Sequence, residues 1–269
     1  MNRRDIREAL ETAQEAAREA GAVMSKNLNA KKKTNVSSQH DIKLELDVRC
    51  QQLIEGILSR RFPELAVLGE EGESGEVDGD YRWVVDPIDG TVNFTYGIPH
   101  ACVSIALQRR RVGPATKYSG GYETLLGAVY DPFMDEMWSA TCDGPARLNG
   151  RKIKVSNRAK LEECIVAIGF AKTKLSMELT LPSFGQLLPR VRKMRILGAA
   201  ALSLCWVAAG RLDAFVENGV RLWDIAAGGL IVARAGGEFF VRPVEGYQQF
   251  RMIANNGLVR RKIERCMKS

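Results

Sequence analysis

Helix-like and strand-like segments alternate along nearly the whole chain of 269 residues. Apolar and alanine residues recur at helical spacing from 4 to 28 and again from 46 to 61, where Pro63 ends the second pattern. The polar stretch 29–40 between them predicts an exposed loop. Short strand-like runs bounded by Gly, Pro and Asp follow at 66–68, 83–85, 102–107, 125–130 and 136–140.

The second half of the chain alternates more regularly. Strand-like and helix-like runs follow one another at 165–168, 177–188, 194–197, 199–209, 213–217, 224–235, 238–241 and 251–254, before a last helix from Leu258. This pattern predicts an α/β (α+β) chain of layered sheets and helices, with two sheet regions joined near 145–160. We therefore expect an N-terminal half, 1–150, and a C-terminal half, 151–269, packed as one compact unit.

Composition places the chain among folded globular proteins. Apolar residues make up 45% and charged residues 26%, which excludes a disordered or fibrous chain. The 39 Lys and Arg against 32 Asp and Glu give a net charge of +7, which suits anionic ligands. Basic runs at 31–33, 109–111 and 190–195 would meet phosphate or nucleic acid, or would simply be solvated faces. No run alternates with aromatic residues as a base-stacking surface would.

Other residue types exclude further classes of site. The six cysteines are scattered without a C-x-x-C pair, so a zinc site or a disulfide framework is not expected. Only His40 and His100 are available to a mechanism that needs histidine. The N-terminal segment is charged, and no apolar run is long enough to span a bilayer. We expect a cytoplasmic protein with no membrane contact.

The most informative segment is 83–94, with the sequence WVVDPIDGTVNF. A buried-looking strand leads into two carboxylates three residues apart, Asp86 and Asp89. These carboxylates and the Ile88 carbonyl between them are the oxygen ligands that Mg²⁺ prefers. A helix starting after Gly90 would direct its free N–H groups at a phosphate oxygen. A capped turn is the ordinary alternative for an Asp-x-x-Asp pair on its own.

Two further acidic segments favour the metal site. Glu70 and Glu71 follow the strand-like run 66–68, and Asp224 stands at the start of a helix rich in small residues. The alternatives are solvated loop charges for the glutamates and an ordinary N-cap for Asp224. A metal site requires these carboxylates to converge, which spacing alone does not decide.

Together these motifs resemble those of the inositol monophosphatase family of Mg²⁺-dependent, lithium-sensitive phosphatases. Gly69-Glu70-Glu71, 83–94 and 223–237 match the family motifs in order and spacing, and the likeness extends over nearly all of the chain. The resemblance implies a layered α-β-α-β-α sandwich of the inositol monophosphatase and fructose-1,6-bisphosphatase type. It also implies a homodimer.

By motif position, the resemblance implies two Mg²⁺ ions, with a weak third less certain. Glu70, Asp86, the Ile88 carbonyl and Asp89 would hold the first ion, and Asp86, Asp89 and Asp224 would hold the second. The family mechanism is an in-line attack on a phosphate monoester by a water molecule that one ion activates, while the other ion stabilises the leaving alkoxide.

The resemblance also implies roles for residues around the ions. The Gly90 and Thr91 amides would bind phosphoryl oxygens. Thr91, hydrogen-bonded to Asp47, would act with Glu70 to orient and deprotonate the water. No histidine is required by this arrangement.

Two more positions match residues that face the substrate in the family. The segment 198–202, Gly-Ala-Ala-Ala-Leu, is similar to the family's Gly-Thr-Ala-Ala and would place Ala200 beside the substrate, with helix packing as the alternative. Glu217, at the end of a predicted strand and seven residues before Asp224, matches the acid that hydrogen-bonds the inositol hydroxyls.

The chain departs from the family pattern in three places. The family usually reads Asp-x-Val-Thr-x-x-Asp where this chain reads Asp-Ile-Lys-Leu-Glu-Leu-Asp over 41–47, so the threonine is absent and both aspartates remain. The lysine common upstream is replaced near Val36, unless Lys33 serves, which bears on the third metal near Glu70. A basic, Gly-rich insertion at 109–124 is expected to be a solvated tip.

The function that the resemblance implies is Mg²⁺-dependent hydrolysis of a small polyol or sugar phosphate, with inositol-1-phosphate first. Fructose-1,6-bisphosphate, NADP and 3′-phosphonucleotides stay open as substrates, because residues outside the metal core decide among them. A different class of function, a binding partner of the transcription machinery that contacts RNA polymerase or RNA, is the competing hypothesis. The complete acidic set favours the enzyme.

Overall fold

The computed structural model of the chain describes residues 1–30, 34–37, 42–111, 121–170 and 174–267. The described helices are α1 (Arg3–Asn27), α2 (Glu45–Arg61), α3 (Thr91–Thr95), α4 (Lys174–Leu187), α5 (Ala200–Ala208), α6 (Leu222–Arg234) and α7 (Arg260–Cys266). The described strands are β1 (Thr34–Ser37), β2 (Ile42–Leu44), β3 (Ala66–Gly69), β4 (Gly72–Ser74), β5 (Tyr81–Asp89), β6 (Cys102–Arg110), β7 (Tyr122–Asp131), β8 (Glu136–Thr141), β9 (Arg147–Leu148), β10 (Arg151–Lys152), β11 (Ile165–Phe170), β12 (Lys193–Arg195), β13 (Ala214–Arg221), β14 (Glu238–Pro243) and β15 (Gln249–Asn255).

Two sheets form the framework. The larger sheet has the order β10-β9-β8-β7-β6-β5-β3-β4, in which β3 and β5 are parallel and the other neighbours are antiparallel. The smaller sheet has the order β12-β11-β13-β15-β14, in which β11 is parallel to both of its neighbours. β1 and β2 pair separately as a short antiparallel ribbon.

Helices cover and separate the sheets in layers. α1 and α2 pack on one face of the larger sheet. α5 and α6 lie between the two sheets and share one apolar core with both. α4 and α7 cover the far face of the smaller sheet. The predicted α-β-α-β-α layering is therefore confirmed, and the middle layer carries the start of α6, where Asp224 lies.

Asn2 caps the start of α1 by accepting from the backbone N–H groups of Arg4 and Asp5, at 2.8 and 3.1 Å.

Glycines explain why two helices can pack so closely on the larger sheet. A β-carbon at Gly21 of α1 would lie 2.7 Å from the ring of Tyr130 on β7. Similarly, a β-carbon at Gly127 of β7 would lie 2.8 Å from the backbone of α6. These small residues let α1 and α6 approach β7 from its two faces.

The elements agree with the sequence patterns except at a few points. Thr34–Ser37 forms a strand within the stretch that was expected to be a loop, because it pairs with Ile42–Leu44. β5 continues past residue 85 to Asp89, so the acidic motif remains hydrogen-bonded to β6. Lys33, His40 and Asp41, and most of the 109–124 insertion, lie outside the described residues. Within the described ranges, no helix has the length and apolarity needed to cross a membrane.

Candidate active site

The parallel pairing of β3 with β5 brings the first two carboxylates together. Gly69 is the register partner of Val85, and the backbone N–H of Glu70 donates to the Val85 carbonyl oxygen at 3.1 Å. Glu70 and Asp86 therefore leave neighbouring parallel strands at the same edge of the sheet. Their carboxyl groups lie within hydrogen-bonding reach of each other.

The Asp86–Gly90 turn then places a second carboxylate beside the first. The β5–β6 register shifts between Asp86 and Asp89, and Asp86 Oδ1 accepts from the backbone N–H of Ile88 at 3.0 Å. Gly90 adopts a φ of 92°, and a β-carbon there would lie 2.9 Å from the His100 carbonyl oxygen. Only glycine fits this position without strain. α3 begins at the next residue, as the sequence predicts.

Asp89 joins the motif to the middle helical layer. Its Oδ1 accepts from the backbone N–H of Ala200 at 3.1 Å, and its Oδ2 accepts from that of Ala201 at 2.7 Å. The thiol of Cys102 also donates to Oδ2, at 3.6 Å. Burial and the charge of Asp224 outweigh these donors and raise the pKa of Asp89 to about 7.

Asp224 enters the same cluster from α6. Its Oδ2 accepts from the backbone N–H of Arg221 at 2.9 Å, and its carboxyl group is within hydrogen-bonding reach of Asp86. The hydroxyl of Ser104 on β6 donates to the Trp223 carbonyl oxygen at 3.1 Å, which fixes the start of α6 against the larger sheet. Burial raises the pKa of Asp224 to about 6, and the hydrogen bonds from the Arg221 backbone N–H and from Asp86 lower it by less.

Asp86 is the centre of this acidic cluster, which comprises Glu70, Asp86, Asp89 and Asp224. Burial acts most strongly on the pKa of Asp86, and the charges of the other three carboxylates follow; all of them raise it. The pKa of Glu70 is likewise raised, first by burial and then by Asp224. Several negative charges in a buried site are unfavourable unless protons or a cation neutralise them.

The chemistry of the cluster fits a hard divalent cation, because every donor is an oxygen and the ligands are carboxylates. In the described part of the chain, however, no group of three or more His, Cys, Asp or Glu side chains is arranged as a formed metal cage. The carboxyl groups are instead engaged with one another and with backbone N–H groups. The predicted metal positions therefore stay predictions.

The predicted partners of the attacking water lie around Glu70. Asp47 is buried in the first turn of α2, where its Oδ2 accepts from the backbone N–H of Leu44 at 2.8 Å. Its charge contributes to the raised pKa of Glu70, so Asp47 belongs to the same electrostatic neighbourhood. The hydroxyl of Thr91 donates to the Ile88 carbonyl oxygen at 2.9 Å. The expected bond from Thr91 to Asp47 stays a prediction.

Glu217 lies in the middle of β13 rather than at its end, because the strand continues to Arg221. It is the register partner of Gly169 on β11, and a β-carbon at Gly169 would lie 2.1 Å from a carboxylate oxygen of Glu217. The glycine therefore makes room for the acid. Burial, followed by the charges of Asp224 and Asp89, raises the pKa of Glu217 to about 8.

Ala200 opens α5, and its backbone N–H is engaged by Asp89. Its side chain is buried in the core between the sheets, so the packing role is observed. Contact with a substrate stays a prediction.

Sequence reasoning missed two side chains that hold the site in shape. Asn93 Nδ2 donates to the carbonyl oxygens of His100 at 2.9 Å and Leu197 at 2.8 Å, which ties the Gly90 turn to the segment before α5. Gln51 Oε1 accepts from the backbone N–H of Glu71 at 2.9 Å. Asn93 lies inside the recognised motif and was within reach of sequence analysis. Gln51 lies on a helix and gives no local signal.

Comparisons with known proteins identify what this chain is similar to. The model of the inositol monophosphatase family matches residues 5–266. Inositol monophosphatase 1 of Solanum lycopersicum is 36% identical over 242 residues, which cover 87% of this chain and 85% of the relative. Nus factor SuhB of Pseudomonas aeruginosa is 38% identical over 236 residues, which cover 85% of this chain and 83% of the relative. The crystal structure of extragenic suppressor protein suhB from Bartonella henselae matches with a TM-score of 0.86 at 32% identity, covering 96% of this chain and 98% of its own.

Proposed function

This chain belongs to the inositol monophosphatase family, and on that basis we propose that it hydrolyses a small phosphate monoester in a Mg²⁺-dependent reaction. Inositol-1-phosphate is the leading candidate substrate. The observation that carries the proposal is the convergence of the acidic cluster, where burial and like charge act together on Asp86. A buried set of carboxylates with raised pKa values is typical of a catalytic or metal-binding centre.

In this proposal Glu70, Asp86, Asp89, Asp224 and the Ile88 carbonyl hold two Mg²⁺ ions, with a third of lower affinity near Glu70. When bound, the ions would lower the pKa of the attacking water and offset negative charge on the phosphoryl and leaving oxygens. Inhibition by lithium and a homodimeric state are expected from family membership.

The chain's own residues position the reactants and move the proton. Glu70 would accept a proton from the attacking water, the role that family membership implies for it. Asp47 and Thr91 orient that water. The Gly90 and Thr91 amides stand at the start of α3 and bind the phosphoryl oxygens. Glu217, whose carboxylate packs against Gly169 and is influenced by the charges of Asp224 and Asp89, hydrogen-bonds a hydroxyl of the substrate.

The test is phosphate release from inositol-1-phosphate with and without Mg²⁺. Asp89→Asn should lower kcat by on the order of a hundredfold. Asp80→Asn, at an exposed position before β5, is the matched control and should match the wild type. Equal rates for Asp89→Asn and the wild type would reject the proposal. Fructose-1,6-bisphosphate, NADP and a 3′-phosphonucleotide in the same assay rank the substrate classes.

A second candidate function is a partner of the transcription machinery, favoured by the relatives named Nus factor SuhB. It predicts that the protein co-purifies with RNA polymerase at modest salt, with or without Mg²⁺. The Asp89→Asn variant separates the two functions, since binding should survive the loss of hydrolysis. Absence of RNA polymerase from both preparations would remove this candidate.

A further inference from the structure

Two arginines face each other across the outer edge of the smaller sheet. Arg242 on β14 is the direct antiparallel register partner of Arg251 on β15. Directly opposed side chains on antiparallel strands lie close together, and like charges in such a pair are destabilising. The fold therefore brings two positive charges together at a cost that an anion would offset.

The pair lies on the face of the sheet opposite to the acidic cluster. Side chains alternate between faces along a strand, so Arg251 shares its face with Ile253, which packs in the outer core with α7. Met252, between them, packs in the inner core. Glu217 is the register partner of Met252 and shares that inner face. An anion held by Arg251 is thus separated by the sheet from the proposed catalytic centre.

The carboxylate that lines the same cavity, Glu264, is paired with Arg260 rather than with Arg242 or Arg251. Among the ion pairs and hydrogen bonds of the described residues, none involves either guanidinium. Arg251 is half-buried, and burial together with the charge of Arg242 lowers its pKa. Its other cross-strand partner is Asn218, an uncharged residue. The two groups therefore keep their donors available for a ligand.

A third arginine completes one wall of a cavity beside this pair. Arg260 of α7 stacks over the ring of Phe240, with its guanidinium carbon 4.3 Å from the ring centroid. It is also held by Glu238 at 3.3 Å and Glu264 at 3.9 Å. The cavity has a volume of about 280 Å³ and is lined by the three arginines with Phe240, Ile253 and Glu264. That volume is at the small end of the range for small-molecule sites.

We propose that this cavity is a second phosphate-binding site, which takes inorganic phosphate or the phosphate group of a small metabolite. Arginine forks bind phosphate oxygens in pairs, and a dianion bridging Arg242 and Arg251 would remove their mutual repulsion. Arg260 is already paired with Glu238 and Glu264, and it forms one wall of the cavity. The site is independent of the proposed hydrolysis, because no residue of the acidic cluster takes part.

The test is equilibrium dialysis of the Mg²⁺-loaded full chain against inorganic phosphate, comparing the wild type with the double variant Arg242→Gln/Arg251→Gln. The double variant should bind one phosphate fewer per chain than the wild type, and its kcat and KM should be unchanged. Arg261→Gln removes the same charge from an exposed position on α7 and should keep the wild-type number. The difference of one phosphate does not depend on whether the catalytic centre also binds phosphate.

A second variant distinguishes loss of the phosphate site from loss of the folded structure. Arg242→Glu places a carboxylate opposite Arg251, so it should raise Tm by about 1–3 °C in phosphate-free buffer and also lose one bound phosphate. Titration with a phosphate monoester in chelator, where the proposed Mg²⁺-dependent hydrolysis does not convert the ester to phosphate, identifies the source: binding as tight as that of free phosphate indicates a phosphorylated metabolite, and exclusion of the ester indicates inorganic phosphate. The proposal is overturned if the double variant and the wild type bind equal numbers of phosphates.

Discussion

Asp86 and Asp213 are equally buried aspartates with opposite surroundings, at 1% and 0% exposure. Asp213 accepts from the Ser156 hydroxyl at 2.5 Å and the Ile165 backbone N–H at 2.7 Å, and it forms an ion pair with Arg158 at 2.7 Å. Asp86 receives one backbone N–H and otherwise faces carboxyl groups. Burial alone therefore does not separate a structural carboxylate from a functional one. The sign of the neighbouring charges does.

The largest expected effect is the loss of activity in Asp86→Asn. This change removes the central charge of the acidic cluster, so kcat should fall by about a thousandfold. The free energy of unfolding in metal-free buffer should stay level or rise, because the substitution relieves repulsion among buried carboxylates. Kinetics and urea unfolding of the same preparation check both outcomes. A strongly destabilised variant would mean that Asp86, like Asp213, is mainly structural.

Asp213→Ala should show the reverse behaviour. Removing one partner of a buried, hydrogen-bonded pair should lower the free energy of unfolding by about 3 kcal/mol, moderated by the partial exposure of Arg158. Below Tm, kcat should stay within about twofold of the wild type, because no group of the acidic cluster contacts Asp213. Asp143→Ala is the control, since its ion pair with Arg3 is exposed and contributes little. Loss of kcat without loss of stability would contradict the comparison.

The sequence predicts the acidic residues of the site but not the contacts that shape it. Glu70, Asp86, Asp89 and Asp224 are predictable because each lies in a short motif beside a regular element, and because these motifs together resemble those of the inositol monophosphatase family. The bonds that shape the site join residues far apart in sequence. Asp89 accepts from α5, 111 residues further on.

The register of the strands could not be predicted from the sequence either. The Arg242–Arg251 pair depends on the alignment of β14 with β15. The sequence predicts those two strands but not which of their residues face each other. In the same way, the strand-like pattern ends at Glu217, whereas β13 continues to Arg221. The pairing with β15 carries the strand past that point through a register shift.

A smaller effect should appear in the pH dependence of stability in chelator. Burial and two aspartates raise the pKa of Glu217 to about 8 from an ordinary value of 4.5. The folded chain therefore holds this proton more tightly than the unfolded chain. The resulting stabilisation is fully present below pH 4.5 and is lost as the pH rises toward about 8.

Glu217→Gln removes that titration. Urea unfolding between about pH 5 and pH 8 should give a shallower fall in the free energy of unfolding than in the wild type. Glu162→Gln, at an exposed position, should keep the wild-type slope. Equal slopes for Glu217→Gln and the wild type would show that Glu217 does not bind a proton more tightly in the folded chain, and would contradict its raised pKa.

The smallest expected effect concerns a contact at the rim of the site. The hydroxyl of Tyr247, in the hairpin between β14 and β15, contacts Glu73, and the Arg221 guanidinium contacts the Tyr247 carbonyl oxygen. Since the Arg221 backbone N–H also donates to Asp224, the hairpin links β4, which follows Glu70, to the start of α6. Tyr247 is 59% exposed, so Tyr247→Phe should change stability by about 0.5 kcal/mol or less and lower kcat by about twofold. A loss as large as that of Asp86→Asn would show that the rim, rather than the buried charges, controls the geometry of the acidic cluster.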